Sequence, residues 1–448
     1  MSADVASTVP NPSTLQNPNH DTLKVADQSH QMHGFSHPSM QKSPVIFQSG
    51  DGGILKDVDG TEYIDLLGGI TVSNLGHGRE DIARIAYDQI RTLEIGNAYP
   101  GYFDGARVYL TAGGAEGVEA GELSEWHYGS STRGYWKKKL IGFRSCYHGS
   151  TFVPFSLMTE FYDYGWDRLT EGWSTEMKQH KDLHFFSSND PPNEMFFNKD
   201  KIKQGENVGQ AAARLLEEHI LDEGPDSVAA FIFEPVQGDG GAVPHHPDFF
   251  PLARQICDKH KVLMIADEIM AFAKTGTWFG MQQYNVAPDI MIISKALTSG
   301  YLPMGAVIYT DRHDYTWSGH PTCAAVALKV LEIIVRDDMI SKAAERGRTY
   351  LSILQKKLHG LRLVKDIRGR GLMLGIDLIS DIGSDVGMRL LLEKKVVLKS
   401  SSNQHCLLMT PPAVLTDEQF EKAADGIKDV LSSWQARGEN LVSKSRQS

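Results

Sequence analysis

The chain has 448 residues, 41% of them hydrophobic and 23% charged, which is the composition of an ordinary globular protein with room for two or three domains. Its formal net charge of −11 argues against nucleic acid or an anionic membrane as a partner, because either would need a basic face. Four cysteines without paired spacing argue against a disulfide framework or a zinc site. No apolar run approaches the roughly 18 residues of a membrane-spanning helix, and the N-terminus lacks the features of a secretory signal. We therefore expect a soluble, cytoplasmic protein.

The N-terminal residues 1–43 are rich in Ser, Pro, Asn, Gln and His, and they predict a mobile polar arm. The stretch "GGILKDVDGTEYIDLLGG" follows it, with apolar and polar residues alternating on both sides of Asp59 and Gly60. Asp-Gly between two alternating runs is a strong two-residue turn signal, so this stretch predicts a β-hairpin.

The central third alternates short apolar runs with helical patterns. The predicted strands lie in "RVYLT", "KKLIGF", "SVAAFIF", "VLMIAD" and "IMIIS", and the predicted helices include "VGQAAARLLEEHIL" and "FPLARQICDKH". Nearly continuous apolar strands separated by helices are typical of parallel strands that are buried on both faces. The pattern predicts an α/β sheet with helices on both sides.

The C-terminal third has a different character. "HPTCAAVALKVLEIIV" predicts a helix, "RLVKDIRGRGLMLGIDLIS" a pair of strands, and "LLMTPPAV" a strand that ends at proline. Thr416 and Gln419 form a capping box at the start of a last helix. These elements predict a second, smaller α/β domain.

Ligands of open α/β sheets bind beyond the carboxyl ends of the strands, so the residues there are candidates for a site. These candidates are Gly113-Gly114-Ala115-Glu116, Tyr147-His148-Gly149, Glu234-Pro235-Val236-Gln237, Asp267-Glu268 and Lys295. Each group also has a simpler explanation. The glycines could form only a tight turn, Tyr147 and His148 could be edge residues, and Glu234 could be a turn carboxylate. Asp267 and Glu268 could be metal ligands or a helix N-cap, and Lys295 could reach to solvent. Their convergence on one edge of one sheet is harder to explain structurally.

Pyridoxal phosphate is one cofactor that would use all of these groups. It needs a lysine amine for its aldehyde, a carboxylate facing its ring nitrogen, and an aromatic ring stacked on the ring plane. Its phosphate suits the N–H groups of a helix N-terminus, which the turn at Gly114 would supply. Burial beside a cationic ring would also keep the amine of Lys295 a neutral nucleophile.

Several motifs resemble class III pyridoxal-phosphate-dependent aminotransferases, with a lean toward the ω-amino acid or amine:pyruvate branch. They are "KDVDGTEYIDLLGGITVSNLGHG", "YHGST", "FIFEPVQGDGGAVP", "PLARQICDKHKVLMIADEIM", "PDIMIISKALTSGYLPMGAV", "TWSGHPTCAA" and "IRGRGLMLGIDL", in the family's order. The resemblance covers roughly residues 30–435. It implies the fold-type I architecture: a large domain with a mostly parallel sheet in an α/β/α sandwich, and a smaller α/β domain built from both chain ends. We accordingly predict small-domain segments at 44–100 and 311–448 around a large cofactor-binding domain at 101–310, in a homodimer.

The resemblance also implies roles for individual residues. Lys295 would form the Schiff base and move protons, Asp267 would pair with the pyridine nitrogen, and Tyr147 would stack on the ring. Gly114 and Ala115 would hold the phosphate, and Thr316 would reach the phosphate of the neighbouring subunit. The further cofactor-binding positions are His148, Glu234, Gln237 and Ile269. Low-ranking candidates for substrate binding are Ile70 and Lys399, and no metal is expected.

The match departs from the family's pattern in three places. "DEIMAFAKTG" is one residue short, with Ala273 in place of a glycine and Lys274 in place of an arginine, and segments near 100–101 and 311–316 also look shortened. No arginine precedes the Pro-Pro strand, where many relatives bind a carboxylate, and Lys399 is the nearest cation. This pattern favours an amine donor without an α-carboxylate.

The sequence as a whole predicts a transaminase that moves an amino group from a primary amine or ω-amino acid to a keto acid, with pyruvate favoured, in two half-reactions of ping-pong type. Alternatives on the same fold are an aminomutase or a racemase. A catalytically impaired scaffold is a further alternative, motivated by the shortened segments. A nucleotide-binding oxidoreductase is disfavoured, because "GRGLMLG" follows no clean βαβ start.

Overall fold

The computed structural model describes residues 45–93, 107–121, 137, 139–157, 185–189, 193, 198–309, 320–401 and 404–436. The strands are β1 Phe47–Asp51, β2 Ile54–Asp57, β3 Glu62–Asp65, β4 Arg107–Thr111, β5 Lys139–Phe143, β6 Phe185–Asn189, β7 Val228–Phe233, β8 Val236–Gln237, β9 Val243–Pro244, β10 Leu263–Asp267, β11 Ile290–Ile293, β12 Gly305–Tyr309, β13 Val364–Arg370, β14 Met373–Leu378, β15 Val396–Val397, β16 Lys399–Ser400 and β17 Cys406–Met409. The α-helices are α1 Glu80–Thr92, α2 114–121, α3 Phe152–Ser156, α4 Val208–Glu223, α5 Phe249–His260, α6 Pro321–Arg336, α7 Met339–Lys357, α8 Gly383–Arg389 and α9 Asp417–Ala436.

The central layer is a seven-stranded sheet in the order β4-β12-β11-β10-β7-β5-β6. Every neighbouring pair is parallel except the two that involve β12, which runs antiparallel to β11 and to β4. All six residues of β7 are buried, as expected for a strand covered on both faces. The predicted α/β class with a mostly parallel sheet is confirmed.

Helices α4 and α5 cover one face of this sheet. Asn207 and Gln210 form a capping box that satisfies the first N–H groups of α4, although the sequence analysis did not single it out. Phe231 and Phe233 of β7 pack against Phe249 and Phe250 of α5, with ring centroids 4.6 Å apart for Phe233 and Phe250. This aromatic layer fixes the strand that leads to Glu234.

Two smaller sheets lie outside the central layer, and the first of them combines residues from distant parts of the chain. One has the order β1-β2-β3-β15 and the other the order β13-β14-β17-β16. The predicted hairpin around Asp59 and Gly60 is formed by β2 and β3, and β3 pairs in parallel with β15. The domain limits at 44–100, 101–310 and 311–448 stay a prediction that this pairing supports, and the predicted arm at 1–43 lies outside the described residues.

Helix α9 begins as the sequence predicts. The Thr416 hydroxyl accepts a hydrogen bond from the Gln419 N–H, and the Gln419 side chain accepts one from the Thr416 N–H. Phe420 of this helix stacks on Tyr350 of α7 with ring centroids 3.9 Å apart. The Tyr350 hydroxyl in turn donates to the Leu415 carbonyl at 2.6 Å, which ties α7 to the start of α9.

Substitution by alanine should have opposite effects on stability at two helical glycines. An added Cβ at Gly347 in α7 would collide with the backbone of Gly371, whereas one at Gly387 in α8 would lie 3.7 Å from Leu398 Cδ1, an ordinary contact. We expect Gly347→Ala to lower the free energy of unfolding by about 1–3 kcal/mol. Gly387→Ala should raise it by up to about 1 kcal/mol through helix propensity. Urea unfolding of both variants checks this, and equal shifts of the same sign would contradict the close approach of α7 to the β13–β14 turn.

Candidate active site

Strands β4, β5, β7, β10 and β11 run in the same direction, so their carboxyl ends meet at one edge of the seven-stranded sheet. The glycine turn after β4, the Tyr147 loop after β5, Glu234 after β7, Asp267 at the end of β10 and Lys295 after β11 all lie at this edge. The antiparallel strand β12 separates β4 from β11, and the sequence analysis did not predict this insertion.

Two hydrogen bonds fix the carboxylate of Asp267 at this edge of the sheet. Its Oδ2 lies 2.8 Å from His148 Nδ1, and its Oδ1 accepts the Ile269 N–H at 3.0 Å. Burial opposes a charged His148, but the neighbouring Cys146 and the Asp267 carboxylate raise the pKa of this imidazole well above 6.5. Asp267 is therefore a buried carboxylate beside an imidazole that favours its cationic form. Ile269 holds the Asp267 carboxylate through its backbone N–H, and its side chain also lies at the site, beside Gly114.

Glu234 links the loops that follow β5 and β7. Its Oε1 accepts the Tyr147 N–H at 3.0 Å and its Oε2 accepts the Gly238 N–H at 2.8 Å. Burial raises the pKa of Glu234 to about 7, against the opposing effect of His148. Gln237 donates from Nε2 to the Arg144 carbonyl, while its buried Oε1 has no hydrogen-bond partner among the described residues. A buried oxygen without a donor is unusual in a native protein and indicates a place for a ligand's donor.

The glycine turn after β4 brings a helix N-terminus against Ile269. Helix α2 begins at Gly114, and the first N–H groups of a helix have no partners within it. An added Cβ at Gly114 would lie 2.8 Å from Ile269 Cδ1. At Gly149, where φ is +135°, an added Cβ would lie 2.7 Å from the Cβ of Ala115. The small residues therefore allow a close approach of three loops around free N–H groups, which suits an anion.

Lys295 does not end its strand as the sequence suggested. Strand β11 stops at Ile293, and Lys295 opens a short 3-10 helix, Lys295–Leu297, with a left-handed φ of 44°. The Ser294 hydroxyl anchors the turn by donating to the Met304 carbonyl at 2.7 Å. Burial lowers the pKa of Lys295 to about 8, although Asp267 acts in the opposite direction. The amine is thus partly neutral near pH 8.

Lys399 is held by a carboxylate that the sequence analysis missed. Lys399 Nζ lies 2.5 Å from Asp239 Oδ1, and the side chains are 37% and 9% exposed. Both charges act on the pKa of Lys295, so the pair lies within electrostatic reach of that amine. Asp239 stands two residues after Gln237 in "EPVQGDGG", and this proximity to a predicted site residue was the available signal.

Lys274 is a second buried lysine that sequence reasoning did not place in the site. Its side chain donates to the Thr71 carbonyl and the residue is 2% exposed. Burial, and then the charge of Lys295, lower the pKa of Lys274 well below 10.5. The replacement of the family's arginine at this position was the signal that could have found it.

The shortened segment 271–274 forms a closed, buried loop. The Ala273 N–H donates to the Trp278 carbonyl at 2.9 Å, and the Lys274 carbonyl accepts the Leu372 N–H at 2.9 Å. Ala273 adopts a left-handed φ of 56°, the conformation for which a glycine is ordinarily used. This shortening is accommodated without an open gap. The shortened segments near 100–101 and 311–316 lie outside the described residues.

Two further predicted residues are Ile70, a substrate-binding candidate, and Thr316, a candidate for the cofactor phosphate. Ile70 is 65% exposed and adopts a left-handed φ of 62° in the turn formed by residues 68–71. Thr316 lies outside the described residues. Within the ranges that the structure describes, no cluster of three metal-binding side chains occurs, and no helix has the length and apolar character needed to cross a bilayer.

Comparisons with known proteins identify one family. A family model described as aminotransferase class-III matches residues 35–431. A probable aminotransferase of Mycobacterium tuberculosis is 33% identical over 78% of this chain and 78% of its own length. A putrescine–pyruvate aminotransferase of Pseudomonas aeruginosa is 29% identical over 85% of this chain and 89% of its own length.

Solved structures agree as well. A transaminase obtained by ancestral reconstruction covers 93% of this chain and 99% of its own, with a TM-score of 0.81 and 27% identity. A thermostable omega transaminase variant, engineered for the synthesis of bulky amines, covers 93% of this chain and 100% of its own, with a TM-score of 0.82 and 25% identity.

The buried amine of Lys274 predicts a pH-dependent stability. Between the lowered pKa of the folded chain and 10.5, the unfolded chain holds a proton at this residue that the folded chain has lost. The effect of Lys274 on the free energy of unfolding therefore becomes less unfavourable as pH rises through that range. Lys274→Met removes this effect. The stability of the variant relative to the parent should therefore fall as pH rises, by up to about 1.4 kcal/mol per pH unit.

Urea unfolding at a series of pH values measures this difference. Lys356→Met, at an exposed position of α7, serves as the matched control and should give a constant difference. A constant difference for Lys274→Met as well would contradict a lowered pKa of the buried amine.

Proposed function

Because the chain belongs to the class III aminotransferase family, we propose that it transfers an amino group from a primary amine or ω-amino acid to a keto acid, with pyruvate the favoured acceptor. Members of this family depend on pyridoxal 5′-phosphate, and the chain is a pyridoxal-phosphate-dependent aminotransferase of fold type I. The observation that carries the proposal is the meeting of a low-pKa lysine, a fixed carboxylate and an unpartnered amide oxygen at one sheet edge.

The groups at the edge fit this cofactor. The buried Oε1 of Gln237 has no donor among the described residues and suits the hydroxyl of the cofactor ring. The N–H groups at Gly114 and Ala115 suit its phosphate, and Tyr147 suits the ring face. Asp267 would face the ring nitrogen, with His148 and Ile269 fixing the orientation of its carboxylate. Thr316 would add a phosphate contact from the neighbouring subunit.

When bound, the cofactor supplies an electron-accepting ring that weakens the bond between hydrogen and the carbon that bears the amino group. The chain's own residues then control the protons. Lys295 has a pKa of about 8, so its amine can accept a proton from carbon and return one near physiological pH. Glu234 holds the Tyr147 loop and the Gly238 turn in place, which keeps the walls of the site fixed.

One site would serve the two substrates in turn. The amine donor delivers its nitrogen and leaves as a carbonyl compound, and a keto acid then takes up that nitrogen and leaves as an amino acid. This alternation is the basis of the proposed ping-pong order. The name of the Pseudomonas relative, a putrescine–pyruvate aminotransferase, supports a diamine donor and pyruvate as acceptor.

Lys399 is the proposed cation for the acceptor's carboxylate. It lies near Lys295, and its present partner is the Asp239 carboxylate, which occupies the place that a substrate carboxylate would take. Ile70 is the proposed apolar contact for the donor, because its side chain is largely exposed at the turn that Lys274 contacts. An amine without an α-carboxylate would use Ile70 and leave the Lys399–Asp239 pair intact.

We also propose a cytoplasmic homodimer. All four cysteines are free, which fits a reducing compartment. The adjacent helices α1 and α6 expose Tyr87 and Ile90 on one and Leu328 and Val335 on the other, with exposed fractions of 54–69%. Exposed apolar residues on neighbouring helices suit burial against a second copy of the chain.

Substitutions of Lys295 and Asp267 should reduce amino-group transfer without destabilising the fold. We expect Lys295→Ala to abolish transfer, and Asp267→Asn to lower kcat by roughly 100-fold or more. Lys356→Met, the control at an exposed position, should change neither amino-group transfer nor kcat. The measurement is the loss of the visible absorption band of the bound cofactor when an amine donor is added without a keto acid. A Lys295→Ala protein that still completes this half-reaction at the parent's rate would refute the assignment.

The Lys399–Asp239 pair should control acceptor affinity. Lys399→Gln removes the cation and should raise the KM for pyruvate roughly tenfold or more, while Asp239→Asn removes the competing carboxylate and should lower it. The KM for a simple primary amine should change little in either variant. Steady-state kinetics with pyruvate and with 2-oxoglutarate measures these effects, and an unchanged pyruvate KM in both variants would exclude Lys399 as the acceptor's cation.

A further inference from the structure

Residues 68–71 form a turn in which four consecutive residues are left-handed. The φ angles are 59° at Gly68, 56° at Gly69, 62° at Ile70 and 65° at Thr71. Glycine adopts this conformation without a steric penalty, but Ile70 and Thr71 are β-branched and adopt it only when their surroundings enforce it. Such enforced backbone conformations concentrate at functional sites.

The beginning of the turn is held by a fully buried carboxylate. Asp65 accepts hydrogen bonds from the N–H groups of Leu67 at 2.9 Å, Gly68 at 2.8 Å and Gly69 at 3.2 Å. The side chain of His77 contacts the same carboxylate, with Nε2 2.8 Å from Asp65 Oδ2. These contacts satisfy the donors that a left-handed turn leaves open at its start.

The end of the turn is held by Lys274. Its amine donates to the Thr71 carbonyl, and no carboxylate of the described residues lies within ion-pair distance of it. Burying an amine with a backbone carbonyl as its hydrogen-bond partner opposes folding, so this residue is a poor choice for stability alone. Its burial and its proximity to Lys295 also hold its pKa well below 10.5.

The turn is tied to the loop that carries the reactive amine. The Leu75 N–H donates to the Ser299 hydroxyl at 3.0 Å, four residues beyond Lys295. At Gly300, where φ is +79°, the absence of a side chain leaves space that Val72 fills. Lys274 therefore contacts the segment that presents Ile70 and lies within electrostatic reach of Lys295.

We propose that Lys274 is a positioning residue that sets donor specificity: its hydrogen bond to the Thr71 carbonyl fixes the left-handed turn, and with it the apolar surface that Ile70 offers to the donor beside Lys295. This inference rests on the proposed function, because it takes a primary amine as the donor. Lys274 touches neither the donor nor the reacting atoms, and it acts through the backbone of residues 68–71. The chemical class that benefits is a primary amine with an apolar chain.

A double-mutant cycle tests the proposal in the holoenzyme. The variants are Lys274→Met, Ile70→Ala and their combination, and the quantity measured is the ratio of kcat/KM for hexylamine to that for ethylamine. Each single substitution should lower this ratio roughly tenfold, and the double variant should lower it no further, because both act on one contact. Lys274→Arg keeps a donor at the end of the side chain and should restore most of the ratio.

A second measurement needs no turnover. Amide hydrogen exchange should accelerate at residues 66–73 in Lys274→Met and stay unchanged in α4, which packs in a different hydrophobic cluster and serves as the internal control. Unchanged protection of residues 66–73 would overturn the positioning role. A uniform fall in kcat/KM for both amines, or additive effects in the double variant, would overturn the link to donor specificity.

The proposed function and the proposed role of Lys274 would fail in different ways. If neither amine is a donor for the parent enzyme, the proposed function fails and so does the donor-specificity claim. Hydrogen exchange would then still decide whether Lys274 holds the turn. If the parent enzyme uses both amines and the ratio is the same in Lys274→Met, the proposed function stands and the specificity role of Lys274 is wrong.

Discussion

A lysine amine that leaves water must find a counter-charge or lose its proton, and this constraint organises the candidate site. Three lysines meet it in three ways around one sheet edge. Lys399 forms an ion pair with Asp239, Lys274 has a pKa held well below 10.5 and donates to a backbone carbonyl, and Lys295 has a pKa of about 8 close to the Asp267 carboxylate. Of the three amines, only that of Lys295 has neither a hydrogen-bond partner nor an ion-pair partner among the described residues. The fold thereby separates the reactive amine from two lysine amines that have other partners.

The parallel sheet makes this separation possible. Because the carboxyl ends of β5, β7, β10 and β11 meet at one edge, residues more than a hundred positions apart come within hydrogen-bonding distance there. The 2.8 Å contact between His148 and Asp267 is one example. Apolar strands and the aromatic layer of α5 surround the edge, so each polar group there has few alternative hydrogen-bond partners. Its charge state therefore depends strongly on its neighbours. Chemistry at this edge therefore depends on the packing below it.

The sequence reveals the groups that lie at strand ends, because a strand's direction and its last residue can both be read locally. Asp267, Glu234 and the turn at Gly114 were located in this way, and Lys295 was located to within two residues of its strand's end. Contacts that depend on tertiary packing could not be read from the sequence. The partner of Lys399 lies 160 positions away, and the role of Lys274 depends on a carbonyl 203 positions away. Similarly, "GGIT" announces left-handed backbone only at its two glycines, since isoleucine and threonine rarely adopt it.

The most direct test of this account is the pH dependence of the amine of Lys295 itself. Cofactor-free protein would be mixed with excess pyridoxal 5′-phosphate from roughly pH 6 to pH 11, reduced with borohydride, and digested so that mass spectrometry counts the label at Lys295. We expect the initial rate of labelling to follow the neutral fraction of the amine and to be half-maximal near pH 8, with Lys274 and Lys399 remaining unlabelled. A midpoint near the ordinary lysine value of 10.5 would show that the sheet edge does not activate Lys295 and would contradict the central claim.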